Sequence, residues 1–394
     1  MKTSLLLFSL LITPVFAQNV PDSYTEKLTK YNLVKNDQAF CLGDDSVSTF
    51  DHNAKKIMKP ASLSKLYVTD WALKTVGGHY RYETKFALKD GILYIKGGDD
   101  PFFATESVMA VMEYLNKMGV KELEQIIFDA HFTLNWSDDS AIISKWLSDY
   151  FNKGSSVTRS EMNHVRLRTL QLGLDFFRKG EESKVKSVKF QANIDENIFT
   201  QAKVFSLKSS PLYKHLKQMN IYSNNFYAQK LFDHLGGIGP FHEYMKNEFS
   251  ADQSEIKFFT GSGLGENYTT CDLTLRLLSH LEKEIANEKL ELKEVVSVAG
   301  SDLGTLRNRF SKAPYNKSVI AKTGTLNMIT TLAGYLYTEK GLKYFAVLNR
   351  TADLDKGRSF ENDLIQGILK DNFRAEPIDY ELIHYSPLDD IILE

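Results

Sequence analysis

The sequence predicts a mixed α/β (α+β) protein, an antiparallel sheet flanked by helices with a smaller α+β unit inserted. Three observations predict it. Val319-Ile320-Ala321, Thr331 to Tyr337 and Leu342 to Leu348 read as three strands of a meander, the last two joined around Glu339-Lys340-Gly341. Two apolar helical runs, from Leu66 to Val76 and from Phe226 to Leu235, each stop at a Gly-Gly pair. Between them, residues 84–200 mix short strands with helices, a composition distinct from the flanking chain.

Residues 1–17 read as a secretory signal: Lys2 supplies the charge, Leu5 to Ile12 the apolar core, and Val15-Phe16-Ala17 a cleavage site. The apolar stretch is too short to span a bilayer, and no later stretch is long enough. The expected product is exported and soluble, with no integral membrane segment. Losing Lys2 takes the formal charge from −2 to −3, and that near-neutral balance, with both signs spread along the chain, argues against a nucleic-acid partner. Cys41 and Cys271 either pair in an oxidising compartment or remain buried thiols. Two cysteines are not a metal site, and the histidines show no ligand spacing.

Taken in order, Ala39 to Leu42 and Ser46 to Phe50 form a hairpin leading to Met58-Lys59-Pro60-Ala61-Ser62-Leu63-Ser64-Lys65. Pro60 favours a helix start at or just after itself, placing Ser62 in the first turn with Lys65 one turn on. A serine hydroxyl needs a base, and a lysine whose pKa is lowered by burial or a second cation can serve. The same spacing at Ser183/Lys186 and Ser254/Lys257 reads as solvated surface. Phe86-Ala87-Leu88, Asp90-Gly91 and Ile92 to Ile95 form a second hairpin. A helix from Val108 to Met118, a strand from Gln125, a helix over 159–180 and a strand at 186–192 follow.

Ile221-Tyr222-Ser223-Asn224-Asn225 precedes the second apolar helix. A Ser-x-Asn there is often only an N-cap. In a cleft, the Ser223 hydroxyl can pass a proton to a leaving amine, and the Asn225 amide can grip a peptide. Lys322-Thr323-Gly324-Thr325 ends the first strand of the meander. Lys322 and the hydroxyls of Thr323 and Thr325 can hold a carboxylate, while Gly324 would let a ligand backbone approach.

Ser-x-x-Lys, Ser-x-Asn and Lys-Thr-Gly, in that order, belong to a set known for β-lactamases and penicillin-binding proteins. With Gly97 to Pro101, Ser209 to Leu212, Gly261-Ser262-Gly263-Leu264, Gly300 to Arg307 and Ala333-Gly334-Tyr335, the chain resembles the penicillin-binding protein 4 family of serine D-Ala-D-Ala carboxypeptidases/endopeptidases. The resemblance implies a β-lactamase/transpeptidase-like fold, with a helical subdomain contributing Ser62 and Ser223 and the insert projecting near the Ser62 end. It implies a catalytic unit of 18–83 and 201–374, a shortened insertion at 84–200 and an acidic tail at 375–394.

The implied chemistry is an acyl-enzyme on Ser62. Lys65 acts as base, Ser223 with Lys65 and Lys322 returns the proton, and Asn225 holds the peptide. Thr323 and Thr325 bind the carboxylate, and the N–H groups of Ser62 and Thr325 form an oxyanion hole. The implied partners are peptidoglycan stem peptides and β-lactams, the compartment is the periplasm, and no cofactor or metal is needed. Thr260, Gly265 and Glu266 depart from the family pattern around Gly-Ser-Gly-Leu. Two other readings use the same residues: a β-lactamase or esterase, and a non-catalytic peptidoglycan-binding protein. The acidic residues Glu282, Glu284, Glu288 and Glu291 read as solvated helix surface, and Gly261 to Gly265 is not the Gly-x-Ser-x-Gly elbow of α/β-hydrolases.

Overall fold

A computed structural model describes residues 20–45, 47–171, 183–382 and 391–394. The expected signal at 1–17 lies outside them, as do residues 172–180 of the expected helix. Helix α1 (Val20–Lys30) leads into the expected hairpin, β1 (Gln38–Asp44) and β2 (Val47–His52), then α2 (Ser64–Val76). The inserted unit holds β3 (Glu83–Lys89), β4 (Ile92–Lys96), α3 (Thr105–Lys117), β5 (Glu122–Phe128), α4 (Ser140–Asn152), α5 (Ser156–Gln171), β6 (Lys184–Phe190), α6 (Glu196–Gln201) and β7 (Lys203–Lys208). The chain then returns through α7 (Leu212–Tyr222), α8 (Asn225–His234), α9 (Ile238–Phe249), α10 (Cys271–Asn287) and α11 (Leu292–Val295). It ends with β8 (Val319–Leu326), β9 (Ile329–Leu336), β10 (Lys343–Arg350), α12 (Leu354–Ile368) and β11 (Ile392–Leu393).

The meander is the centre of a five-stranded antiparallel sheet ordered β2-β1-β10-β9-β8. Every residue of β9 is buried, because both faces are covered. Ile320, Ala333, Tyr335, Ala346 and Leu348 face one layer with α2 and α10; Val319, Ala321, Leu332, Phe345 and Val347 face the other with α1 and α12. Two-sided burial explains the near-continuous apolar runs that marked these strands. Cys41 on β1 and Cys271 at the start of α10 form a disulfide, Cα–Cα 5.8 Å, tying helix to sheet.

The second sheet is ordered β11-β7-β3-β4-β5-β6, and its β4–β5 and β5–β6 pairs are parallel. The β3–β4 turn uses Asp90 at φ 52° and Gly91 at φ 76°, the pair that a two-residue hairpin demands. Two expectations change here. Strand β7, expected within the catalytic unit from 201, pairs with β3, so the inserted sheet reaches Lys208. The insert also docks on α7 and α8, the helices flanking Ser223, rather than at the Ser62 end. Aromatic contact decides this: the Phe102 ring packs at a tilt 4.5 Å from Tyr227 and 4.8 Å from His215.

The tail is not a free appendage. Ile378 N–H donates to the Lys317 carbonyl, and Tyr380 is buried with its hydroxyl on Asp302. Strand β11 then pairs with β7, covering a sheet edge. Glu376, Asp379, Glu381 and Glu394 are exposed, as expected; residues 383–390 lie outside the described residues.

The disulfide closes a sequence separation of 230 residues. Chain-entropy scaling puts the expected stability loss of the double variant Cys41→Ala/Cys271→Ala at about 5 kcal/mol at most. Urea unfolding of the oxidised proteins measures it; an unchanged midpoint would contradict the cross-link.

Candidate active site

Ser62 lies in a 3₁₀ turn, Ala61–Leu63, just ahead of α2 rather than inside it. The turn is strained: buried Ala61 has φ +49°, a left-handed value that L-residues avoid. Two glycines and a threonine hold it there. A Cβ on Gly263 (φ +83°) would lie 1.9 Å from the Ala61 carbonyl oxygen. One on Gly324 would lie 2.8 Å from the Pro60 oxygen and 2.2 Å from Thr331 Oγ1, and that threonine hydroxyl donates to Pro60 O at 3.0 Å. Gly324 has a use within the fold as well: its missing Cβ permits a close approach to the protein's own Pro60–Ala61 backbone.

Lys65 is fully buried, and its ammonium finds three acceptors: Ser62 Oγ at 3.1 Å, Asn225 Oδ1 at 2.8 Å and Ser262 O at 2.7 Å. Burial lowers its pKa to about 7. Lys322, also fully buried, donates to Ser223 Oγ at 2.9 Å and Thr323 O at 2.8 Å. Burial first, and the charge of Lys65 second, push it well below the usual lysine value. The sequence expectation that two cations depress each other thus holds for Lys322, whereas desolvation alone moves Lys65.

Ser223 caps the C-terminus of α7 in the left-handed conformation, φ 57°. Asn224, not its neighbours, is the N-cap of α8, accepting from Tyr227 N–H at 2.9 Å. That division leaves Ser223 to Lys322 and Asn225 to Lys65. The turn at 300–307 bridges the two halves of the site. Thr305 N–H donates to Ile221 O at 3.2 Å, and the Thr323 hydroxyl bonds the Thr305 hydroxyl at 2.9 Å.

A buried pair anchors that turn. Lys217 Nζ lies 2.6 Å from Asp302 Oδ2, which also accepts from Val298 N–H at 2.7 Å. Sequence reasoning missed Lys217, Asp302 and Thr305 as site-forming residues. The available signal was a lysine on the apolar face of α7. It also missed Arg358, whose guanidinium on α12 reaches Thr325 Oγ1 at 3.4 Å; only packing of α12 brings it there.

Strand β8 is the sheet's edge. Its first half is covered: Ala321 N–H donates to Ser297 O, and Ala299 N–H to Val319 O. Strand alternation then points the N–H and C=O of Thr323 and Thr325 the same way, outward from the uncovered half. Ser62, two amines, a second hydroxyl and open strand edge are thus neighbours: Lys65 bonds Ser62, Lys322 bonds Ser223, and the two amines are close enough for the charge of one to lower the pKa of the other. Such a group can deprotonate a serine, receive an acyl group and supply a proton to a departing amine.

The rival Ser-x-x-Lys copies lie elsewhere. Ser254 and Lys257 are exposed as expected. Ser183 is not solvated: it is fully buried and donates to Val120 O at 2.6 Å, while Lys186 pairs with Glu124. The glutamates of α10 are also more engaged than expected, because that helix packs on α2. Glu284 pairs with Lys74 at 3.2 Å, and Glu282 accepts from Tyr344 at 2.9 Å. Among the described residues, no carboxylate hydrogen-bonds Ser62, Lys65, Ser223 or Lys322.

A family model, the D-Ala-D-Ala carboxypeptidase 3 (S13) family, matches residues 33–153 and 183–368. No curated protein sequence matches the chain. Among solved structures, the predatory peptidoglycan endopeptidase Bd3459 of Bdellovibrio bacteriovorus is 26% identical with a TM-score of 0.76, over 90% of this chain and 97% of that one. The penicillin G-acylated Bd3459, in complex with immunity protein Bd3460, is 27% identical with a TM-score of 0.76, over 90% and 97%. Penicillin-binding protein 4 of Haemophilus influenzae shares the fold at 17% identity, TM-score 0.61, over 88% and 99%.

Replacing Gly324 tests the clasp on Ala61. Gly324→Ala should push β8 from the Ser62 turn, lowering stability by about 1–3 kcal/mol. It should also slow labelling of Ser62 by a fluorophosphonate, followed by mass spectrometry; wild-type labelling and melting would refute the clasp.

Proposed function

The chain belongs to the D-Ala-D-Ala carboxypeptidase 3 (S13) family, and from that premise we propose that it hydrolyses D-Ala-D-Ala-type bonds in peptidoglycan stem peptides through an acyl-enzyme on Ser62. The observation that carries the residue assignment is the buried Lys65 amine, 3.1 Å from Ser62 Oγ, with its pKa lowered to about 7. Near neutrality half of it is an amine that can accept a proton.

Lys65 takes the Ser62 proton as Oγ attacks the carbonyl carbon of the penultimate D-alanine. The outward Thr325 N–H stabilises the oxyanion, together with the Ser62 N–H. When the C–N bond breaks, Ser223 gives its proton to the departing amine and recovers one from Lys322. Water then cleaves the ester. Asn225 Oδ1 is occupied by Lys65, which leaves its amide N–H groups for the substrate peptide. The terminal carboxylate meets Thr325 and Arg358, a cation placed at the end of the strand. Thr323 contributes chiefly by fixing the 300–307 turn.

β-Lactams acylate the same serine in this reading. With no carboxylate among the described residues bonded to the four central groups, water is poorly activated against a bulky penicilloyl ester, so the drug inhibits rather than being consumed. Export to the periplasm through residues 1–17 follows from where this substrate lies. It is compatible with the absence, among the described residues, of a helix long and apolar enough to cross a membrane.

Ser62→Ala should abolish covalent labelling by fluorescent penicillin, while Ser254→Ala should label as wild type. Labelling that persists at Ser62→Ala would refute the nucleophile. The acylation rate should rise about tenfold per unit of pH below 7 and level off above it, because only the neutral Lys65 amine is a base. A rate that falls with pH across that range would remove Lys65 from the role. Mixed with excess penicillin, the enzyme should lose peptide cleavage for minutes or longer; rapid drug destruction without peptide cleavage would make it a lactamase.

A further inference from the structure

Beside the Ser223 turn lies a cavity of about 780 Å³ that the chemistry above leaves unused. Its walls come from the insert and from the catalytic side, where Tyr222 and Asn224 flank Ser223. Its volume suits a ligand of some tens of heavy atoms, far more than a departing alanine requires.

The lining has a distinct chemistry. Trp136, Trp146 and Tyr222 supply aromatic faces, and Trp136 and Tyr222 are 56% and 52% exposed. Glu106, Glu161 and Gln218 supply polar groups, and no lysine or arginine is among the described lining residues. Trp136 is held under strain, with φ +60°, a value rare for a bulky aromatic residue. Its neighbour Asn135 is pinned, its backbone N–H donating to Phe103 O at 3.0 Å and its Nδ2 to the Tyr150 hydroxyl at 2.8 Å. Leu134 and Ser137 close the loop by a reciprocal backbone pair, at 3.0 and 2.9 Å. The fold therefore keeps a large indole at the cavity against both backbone preference and hydrophobic burial, the pattern of a binding residue.

A peptide arm bearing free carboxylates would meet Glu106 and Glu161 on a wall whose described residues include no lysine or arginine. A neutral sugar is the better match. Its C–H faces stack on indole and phenol rings, and its hydroxyls bond carboxylate and amide oxygens. Peptidoglycan joins such sugars to its stem peptides. The cavity also adjoins the Ser62 group through the chain. Asn224 adjoins Asn225, whose Oδ1 is 2.8 Å from Lys65 Nζ, itself 3.1 Å from Ser62 Oγ. Four extended residues reach roughly 14 Å, enough to run from this wall to the serine.

Building on the peptidase reading, we propose that this cavity binds the N-acetylated amino-sugar portion of the glycan strand, so that the protein selects stem peptides still attached to sugar.

The chain has three tryptophans, and Trp136 and Trp146 line the cavity. Titrating tri-N-acetylchitotriose should therefore shift the intrinsic fluorescence of the wild type, and the shift should shrink in Trp136→Ala. In kinetics, kcat/KM for a disaccharide-linked pentapeptide should exceed that for the sugar-free pentapeptide by roughly tenfold. In Trp136→Ala the ratio should fall toward one, with the melting temperature recorded to confirm folding. Equal kcat/KM for both substrates in the wild type, emission indifferent to chitotriose, or a preference that survives in Trp136→Ala each overturn the proposal. So does a fluorescence shift produced equally by the sugar-free peptide, which would assign the cavity to a peptide arm. Penicillin labelling of Ser62, read in parallel, separates this outcome from a failure of the peptidase reading.

Discussion

Burial of two neighbouring lysine amines, with no carboxylate hydrogen-bonded to either among the described residues, is the constraint on which the rest of this structure depends. Desolvation disfavours the ammonium form, so Lys65 drops to about 7, and Lys322 is held well below the usual lysine value by burial first and by the charge of Lys65 second. For Lys65 the free energy lost at neutral pH is on the order of 4 kcal/mol. The sign follows from linkage. Between pH 7 and the unfolded value of 10.5, the unfolded chain holds a proton that folded Lys65 lacks, so this group's penalty shrinks as pH rises. The protein accepts the penalty because a proton-accepting amine beside Ser62 cannot otherwise exist near neutrality. Carbonyls rather than carboxylates satisfy both amines, Ser262 O for one and Thr323 O for the other. A carboxylate in either place would raise the pKa again.

A second constraint is steric. The turn before Ser62 exists only because β8 and the 261–265 loop press on it from two sides, each through a glycine. Strain at Ala61 is sustained by the surrounding sheet and helices, which over-determine the backbone there. The α2 helix itself needs little help. Its C-terminus is closed by Gly77 at φ +82°, and Trp71 packs edge-on against Phe232 and Phe241. Rigidity of the Ser62 turn thus derives from the core, through α2, and from the sheet edge, through Gly324.

The insert and the tail belong to the same mechanical unit. Phe102 docks the insert on α7 and α8, while Tyr380 contributes to the buried Lys217–Asp302 pair that holds the 300–307 turn. From there the tail returns to the insert at β11. Both segments brace the Ser223 side of the cleft, and the cavity with Trp136 lies between them. An inserted unit that only decorated the surface would leave that side open.

Much of the candidate site was legible in the amino-acid sequence, because the groups that gather there sit in short local patterns. Ser62 and Lys65 share a face by helical spacing, Lys322 to Thr325 follow a strand, and the order of the three motifs carries the family resemblance. The meander, both early hairpins and the Gly-Gly helix stops were equally readable, since each depends on periodicity or turn chemistry within a few residues. Tertiary structure decided whatever depends on distant segments meeting. It paired Cys41 with Cys271, assigned β7 to the second sheet, turned the insert toward Ser223, joined Lys217 to Asp302 beneath the 300–307 turn, and brought Arg358 to Thr325. It also changed the meaning of residues already noticed: Gly324 makes room for Pro60, Asn224 is the cap, and Ser183 is buried. Local sequence specifies which chemical groups an element carries. Which of them lose water, and beside what, is determined only when the whole chain packs, and the pKa of Lys65 is set at that step.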